Sequence, residues 1–441
     1  MSMVVKNNMS AISTLNTLNK NSSALASSLK KVSSGMKINS AADDASGYAI
    51  SERMRVQIRG LDQANQNTQN GTSMMKVAEG AVSSTVDILK TLKEKVINAA
   101  NDTNTDADRQ TIQKELDQSI DQIDDNANVT YNGKYLVDGS HNSKTNQTTT
   151  ALTNESLDAK TTKGTKLTAL ANRSGELLNI HSTDNVTVSY VQEGKTYTTT
   201  MQVKDLSLEQ VLGKTAYNGK DKLENALSIT ADKATAVIGK DGSDNVIKTA
   251  DNGCAITLTA KTGGVNGQIS GFTISITTNK GNVNKSANAV LDNFSESIRA
   301  QNKSDDNSFS LQVGTKANQS IKVGLTDMRS QALGLKGKDG QTLNVSTQVK
   351  ANAAINVLDN AVQKALDQQT TIGSVESRLS YTASNLTTAS ENVQASESTI
   401  RDADMAKEMT EYTKNNVLLQ AAQSMLAQAN QSSSSVLSLL Q

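Results

Sequence analysis

The chain is poor in aromatic rings. Across 441 residues there is no Trp, and three Phe with eight Tyr bring the aromatic share to 2 %. Apolar residues reach only 36 %, and there is no Pro. A compact enzyme core of this length draws on more rings, because they bury the most area per residue. Few rings beside abundant Ala, Ser, Asn and Gln fit long helices whose cores are shared between neighbours. A single cysteine, Cys254, excludes an intrachain disulfide and a thiolate metal cluster within one chain. In its polar segment it reads as a small buried or half-buried side chain.

An excess of either charge is missing too. Lys plus Arg equals Asp plus Glu at 44 each. A nucleic-acid footprint needs a basic excess to neutralise phosphates, so none is expected. Residues 1–42 break the balance, with Lys6, Lys20, Lys30, Lys31 and Lys37 and no acid. Without rings to stack on bases, they read as a solvated face. Met1 to Ser10 lacks the leader of a cleaved secretory signal. No stretch reaches the roughly 20 apolar residues of a spanning helix, so no membrane span is expected. Residues 415–441 carry no charge, but Gln420, Gln423, Gln428, Asn430 and Ser432 to Ser435 interrupt them.

Motifs for chemistry are also lacking. His141 and His181 sit in a polar stretch without the spacing of a zinc protease; each reads as a surface histidine. Gly263, Gly264 and Gly267 lack the Lys-Ser/Thr and helix of a phosphate cradle, which leaves them as turn glycines. Asp43 and Asp44 diverge by about 100° on a helix and suit its first turn better than an acid pair. No enzyme activity, cofactor or metal site is expected.

What is present is periodicity. Leu15, Leu18, Ser22, Leu25, Leu29, Val32 and Met36 alternate spacings of three and four, the coiled-coil period. Gly35 and Asn39 weaken that helix, and a second is predicted from about Ala45 to Ala99. Its later seam is Met75, Ala78, Val82, Thr85, Leu89, Leu92, Val96 and Ala99. At 1.5 Å per residue it makes a rod of roughly 80 Å. After a turn at 101–105, Ile112, Leu116, Ile120, Ile123 and Ala127 stripe a shorter returning helix. The other end mirrors this. Ile355, Leu358, Val362, Ala365, Gln369, Ile372, Glu376, Leu379, Ala383, Leu386, Ser390, Val393, Glu397 and Ile400 form a heptad seam. Beyond it Leu418, Leu419, Ala421, Ala422, Met425, Leu426 and Ala429 spread over an arc so wide that the helix must be surrounded by partners.

Between Ser140 and Asp305 the period drops to two. Val186, Val188 and Tyr190, then Ile256 and Leu258, then Phe272, Ile274 and Ile276, read as half-buried strands. Asn, Gly, Thr and Ser runs separate them as turns. Helical stretches are predicted near Leu206–Leu212 and Ala289–Ile298. Phe309, Leu311 and Val313 with Ile321, Val323 and Leu325 read as a hairpin around 316–319. The expected class is α+β: long terminal helices paired as a coiled-coil rod, a small β-hairpin and a β-rich central insertion. Apolar faces at the chain ends that one pair cannot cover call for other copies, and heterologous contacts that do not close give filaments.

Several stretches match a known family in order. Ile38-Asn39-Ser40-Ala41-Ala42-Asp43-Asp44-Ala45-Ser46-Gly47 resembles the N-terminal signature of bacterial flagellins. Ile58-Arg59-Gly60-Leu61 and Glu79-Gly80-Ala81 follow. Toward the other end come Arg378-Leu379, Asn385-Leu386, Ile400-Arg401-Asp402-Ala403-Asp404, Leu426-Ala427-Gln428-Ala429-Asn430-Gln431 and a closing Val436-Leu437-Ser438-Leu439-Leu440. The resemblance covers about Met1–Ser140 and Phe309–Gln441, not the middle. It implies a subunit of the extracellular flagellar filament, with residues 1–44 and 398–441 forming an inner coiled-coil domain, 45–140 and 306–397 a surrounding helical tube, and 141–305 a variable surface insertion. Inner assembly would fall to Leu15, Leu18, Leu25, Leu29, Leu418, Leu419, Met425 and Leu426. Rod packing would fall to Val82, Leu89, Leu92, Val96, Leu358, Leu379, Leu386 and Val393.

The resemblance also implies partners: other flagellin copies, an export chaperone, cap and hook-associated proteins, and export through the flagellar type III apparatus without a cleaved signal. It further implies contact with the flagellin-sensing Toll-like receptor of animal hosts, around Lys90 to Ala99 and near Glu115. Strongly activating members read Gln-Arg-x-Arg-Glu-Leu where this chain reads Lys90-Thr91-Leu92-Lys93-Glu94-Lys95. Thr91 stands in place of an Arg and Lys95 in place of a Leu, so weak activation is expected. Two other readings remain at this stage: a hook–filament junction protein related to flagellin, and an adhesin or enzyme carried by the central insertion.

Overall fold

The computed structural model describes residues 8–213, 216–217, 221–222, 227–233, 237–249 and 254–439. Seven helices are found among them: α1 (Met9–Ser34), α2 (Ala45–Ala100), α3 (Asp106–Ala127), α4 (Leu208–Gly213), α5 (Lys285–Leu291), α6 (Gln348–Arg401) and α7 (Met405–Leu439). The fold is α+β, with the long helices at the two ends and small sheets in the middle.

By backbone contacts the chain divides into two compact units. One holds Met1–Thr68, Gln312–Gln319 and Tyr381–Gln441; the other holds Gln69–Leu311 and Ser320–Ser380. In the second unit the heptad seam of α2 is buried as written: Met75, Ala78, Val82, Leu89, Leu92, Val96 and Ala99. So is the stripe of Leu116, Ile120 and Ile123 on α3. From α6, Leu358, Ala365, Ile372 and Leu379 recur every seventh residue and are all buried. The α2–α3 corner is pinned by Arg109. Its Nε donates to the Ala99 carbonyl at 2.9 Å and its Nη2 to that of Asn101 at 3.0 Å, satisfying carbonyls that the end of α2 leaves open. Thr105 and Asp108 form a capping box that starts α3.

The central strands follow in chain order. The hairpin β1 (Thr130–Tyr131) and β2 (Lys134–Tyr135) precedes β3 (Ala151–Leu157), β4 (Asn185–Gln192) and β5 (Lys195–Gln202). Next come β6 (Ala216–Tyr217), β7 (Asp221–Lys222), β8 (Leu227–Lys233), β9 (Val237–Lys240), β10 (Val246–Lys248), β11 (Cys254–Ala260), β12 (Ile269–Thr277) and β13 (Ser295–Ile298). β14 (Phe309–Gln312) and β15 (Ser320–Val323) close the series as a pair. One sheet runs β13-β3-β11-β8 and another β12-β4-β5. Their apolar sides share a core with Leu152, Leu157, Val186, Val188, Ile256, Leu258, Ile274 and Ile276. Four of the chain's rings pair in this core: Tyr190 stacks on Tyr197 and Phe272 meets Phe294 edge-on, each pair 4.9 Å between centroids. The side chain of Cys254 lies outside the described residues.

One of the predicted helices needs correction. The helix predicted over Ala289–Ile298 is the last part of α5, which ends at Leu291; Ser295–Ile298 is instead the edge strand β13, paired with β3. The terminal helical stretch breaks at residues 402–404, between α6 and α7. Asp404 restarts the helix by accepting from the amides of Ala406 and Lys407 at 3.0 and 3.2 Å.

The central strands are fastened to α6 within the second unit. Asn356 and Asn360 of α6 donate to the carbonyls of Phe272 and Ser270 at 3.1 and 2.8 Å. A Cβ on Gly271 would stand 2.7 Å from Val357 Cγ2, so only glycine lets β12 lie this close to the helix. The chain returns to its own path after the central strands, because Thr145 and Ser304 exchange backbone hydrogen bonds of 3.0 Å in each direction.

Candidate assembly surface

In the first unit α1 and α7 run antiparallel. Asn8 donates to the Ala429 carbonyl at 3.2 Å, Asn21 to that of Leu418 at 3.1 Å, and Asn415 to Ser28 Oγ at 3.0 Å. Lys31 and Glu408 close the base of the pair at 3.7 Å. These are mostly amide contacts on a thin seam. Ser28 is the one fully buried residue of α1, and Ala422 that of α7, among the described residues.

The signature loops hold the base in place. Lys37 N–H donates to the Arg401 carbonyl at 2.7 Å, and Ala403 N–H to that of Gly35 at 2.9 Å, so the two chain ends turn against each other. Arg401 is buried; its Nη1 meets Glu52 Oε1 at 2.6 Å and its guanidinium lies over the Tyr48 ring. That hydrogen bond with Arg401 holds the Glu52 carboxyl below its ordinary pKa. Asp44 caps α2 through the amides of Ser46 and Gly47, both at 3.0 Å. Asp43 accepts from the Ser40 hydroxyl and from the amides of Asn39 and Ser40, which lowers its pKa. Gly47 is required by space: a Cβ there would come within 2.5 Å of Asp44 Oδ2 and 2.7 Å of Ile38 Cδ1. The acids of the signature are structural, but neither lies in the first turn of α2 as expected: Asp44 caps the helix from just before Ala45, and Asp43 folds the turn that precedes it.

The residues expected at the inner surface are spread over an open apolar face. Leu29 is 52 % exposed and Met425 63 %. Leu15 and Leu418 are exposed as well, whereas Leu18, Leu25, Leu419 and Leu426 are half-buried. Met9, Ile12, Met405, Met409 and Val417 extend the same exposure. Apolar surface on this scale marks an interaction site rather than a free surface. The rod residues stand differently. Val82, Leu89, Leu92, Val96, Leu358 and Leu379 are buried. In the first unit Leu386 packs with Leu61 and Ala64, and Val393 lies half-buried against that cluster.

Sequence reasoning missed Arg401 and Arg109 as buried pins. Arg401 stood inside a quoted motif, but its partner Glu52 is 349 positions away. Asp106, three residues before Arg109 and 3.0 Å from it, was the available signal for the second pin. At the expected receptor face Thr91 is exposed, with its hydroxyl turned back to the Asp87 carbonyl. Lys95 Nζ meets Glu115 Oε1 at 3.0 Å. His141 stacks on Phe309 at 3.9 Å and His181 stands 3.8 Å from Asp184. Among the described residues no group of three or more His, Cys, Asp or Glu is placed to hold a metal, and no helix is long and apolar enough to cross a membrane.

Comparison with known proteins identifies the framework. Residues 5–142 match the bacterial flagellin N-terminal helical region and residues 355–440 the bacterial flagellin C-terminal helical region. The chain is 33 % identical to a flagellin of Clostridium tyrobutyricum over 97 % of its own length and 99 % of that protein. It is 29 % identical to a flagellin of Bacillus subtilis, covering 99 % and 100 %. It is 27 % identical to the flagellar filament 33 kDa core protein of Treponema phagedenis, again covering 99 % and 100 %. A flagellar hook associated protein-3 from Legionella pneumophila overlaps 78 % of the chain and 97 % of its own, but at 14 % identity and a TM-score of 0.33 it bears no argument about fold. Full-length similarity to filament proteins, together with both helical regions, settles the choice between filament and junction: this chain belongs to the bacterial flagellins and is a structural subunit of the flagellar filament.

Proposed function

We propose that the apolar faces of α1 and α7 are the surfaces on which successive copies of this chain stack. The observation that carries the reading is the exposure of Leu15, Leu29, Leu418 and Met425 on a helix pair that buries almost nothing by itself. Residues 1–44 with 398–441 then act as the inner layer, 45–140 with 306–397 as the tube, and 141–305 as the outer insertion. The subunit leaves the cell through the flagellar export apparatus, and meets an export chaperone, the cap and hook-associated proteins on the way. It carries out no catalysis. The pairing of Thr145 with Ser304 supports treating the insertion as removable. Excising 146–303 and closing the gap with a short Gly-Ser linker should leave a protein that still forms long tubes by electron microscopy. Its melting temperature should fall, because Val357 is uncovered. An exported, helical product that never polymerises would show that the insertion makes essential subunit contacts.

The same reading makes this subunit a weak agonist of the flagellin-sensing Toll-like receptor. Thr91 offers no planar fork where an Arg would stack and bond. Glu115 is already paired with Lys95, so a receptor cation must compete for it. Purified monomer in a receptor reporter assay should signal poorly, and Thr91→Arg with Lys95→Leu should raise the response. Strong signalling by the unaltered chain, with no gain in the double variant, contradicts this.

A further inference from the structure

The second unit contains a cavity of about 190 Å³ walled by segments 139–145, 300–304 and 326–332 and by Lys364 of α6. Its chemistry is unbalanced. Lys303, Arg329 and Lys364 line it against a single carboxylate, Asp327. That carboxylate is already spent, since Arg329 grips it through Nε and Nη2, the shorter contact being 2.7 Å. Glu296, the other acid whose field reaches Lys364, is held by Arg299 at 3.4 Å. Lys364 Nζ donates to the Ala332 carbonyl at 2.6 Å, and among the described residues no carboxylate lies within ion-pair distance of it. Burial pulls its pKa down. The side-chain oxygen of Asn142, another lining residue, is buried without a hydrogen-bond partner. A half-buried ammonium with donors to spare and no carboxylate in contact is a costly arrangement unless a ligand completes it. Neutral polar groups, Thr145, Gln301, Asn302 and Ser304, fill much of the remaining wall, and no aromatic side chain does. The volume falls below the range for drug-sized ligands.

We propose that this cavity binds a small hydroxylated carboxylate of monosaccharide size, its carboxylate on Lys364 and its hydroxyls on Asn142 and the neighbouring amide and hydroxyl side chains. No ring stacking is available, so charge and hydrogen bonds alone select the ligand. The full-length monomer is titrated with glucuronate, glucose and inorganic phosphate, with binding read by ligand-detected NMR and by the shift in melting temperature. Glucuronate should bind and stabilise, and glucose should do so at least ~10-fold more weakly, the worth of one charge-assisted contact. Lys364→Met replaces the ammonium with an apolar chain of similar shape, so it should fold while losing glucuronate binding by a similar factor. Asn142→Ala, which leaves the charge in place, should weaken glucuronate a few-fold and leave the melting temperature of the free protein near its original value. Equal binding of glucose and glucuronate, binding of phosphate alone, no binding of glucuronate, or unchanged affinity in Lys364→Met would each overturn the proposal.

Discussion

The helix pair α1 and α7 and the central sheets solve the same burial problem in opposite ways. The sheets close on themselves: Tyr190, Phe272, Val186 and Ile276 are almost wholly removed from solvent inside one chain. The terminal pair leaves Leu29, Val417 and Met425 open and is tied mainly by side-chain amides of Asn8, Asn21 and Asn415. Amide bonds exposed to water add little net stability, and isolated helices in water are marginal without a packed face. The difference is one of where the partner atoms come from. The middle finds them within the chain; on the proposed reading the ends obtain them from other copies, which would couple their order and function to polymerisation.

That contrast can be broken most directly at the ends. Leu29→Asp together with Leu418→Asp should abolish filament formation while changing the monomer's melting temperature little, because both side chains already meet water. Polymerisation is read by sedimentation and electron microscopy, and melting by far-ultraviolet circular dichroism. Filaments of normal length from the double variant would mean that the exposed face is not the stacking surface.

The opposite outcome is expected in the rod. Leu92→Asp places a charge at a fully buried position of the α2 seam, between buried Leu89 and Val96, and should cost about 4 kcal/mol, in the range for an uncompensated buried charge. Leu386 is also buried, but its cluster is small, with Leu61 and Ala64 as its buried members and Ala389 and Val393 beside them. Leu386→Asp should therefore cost about 2 kcal/mol, and Leu386→Met less than about 1.5 kcal/mol, since the volume is nearly kept. Denaturant unfolding of the three variants checks the order. If Asp and Met at position 386 unfold alike, that seam is open in solution.

These expectations rest on features of unequal legibility. The seam from Met75 to Ala99 was readable because helical period and burial coincide there, and so were β4, β11 and β12, whose alternation runs through several positions. β13 was not readable. Ile298 is its one apolar residue, so no alternation shows, and Ser295–Ile298 is a strand only because β3 offers it an edge. The break at 402–404 was marked in the sequence by Asp404, an N-cap residue type, but apolar spacing on both sides masked it. At the assembly surface the apolar identities of Leu15, Leu29, Leu418 and Met425 were plain from the sequence. Their exposure was not, because it depends on how little α1 and α7 cover of each other. Arg401 with Glu52 could not be paired from sequence at all, since nothing local links positions so far apart.

The last test asks whether the central region is as self-sufficient as the comparison holds. Its weak point is Asp292. This residue ends α5 and accepts the Ile274 amide of β12 at 3.1 Å. Burial pushes its pKa up from 3.8 to about 6, with the Ile274 hydrogen bond opposing. A carboxylate at a helix C-terminus also faces the negative end of the helix dipole. Because the folded pKa lies above the unfolded one, the neutral acid is the form the fold prefers. Its stabilising contribution is complete below pH 3.8 and is lost as pH rises through about 6. The loss is on the order of 3 kcal/mol for a shift of this size, as an upper bound. Asp292→Asn keeps an oxygen acceptor for Ile274 and cannot ionise. It should raise the stability of the sheet region above pH 6 by about 2 kcal/mol, and should match the unaltered chain near pH 4. Thermal unfolding of the central tyrosines, followed by near-ultraviolet circular dichroism from pH 4 to 8, measures both limbs. A variant that is equally stabilising at every pH would place the gain in packing rather than in ionisation, and the sheets would then owe less to α5 than their hydrogen bonds imply.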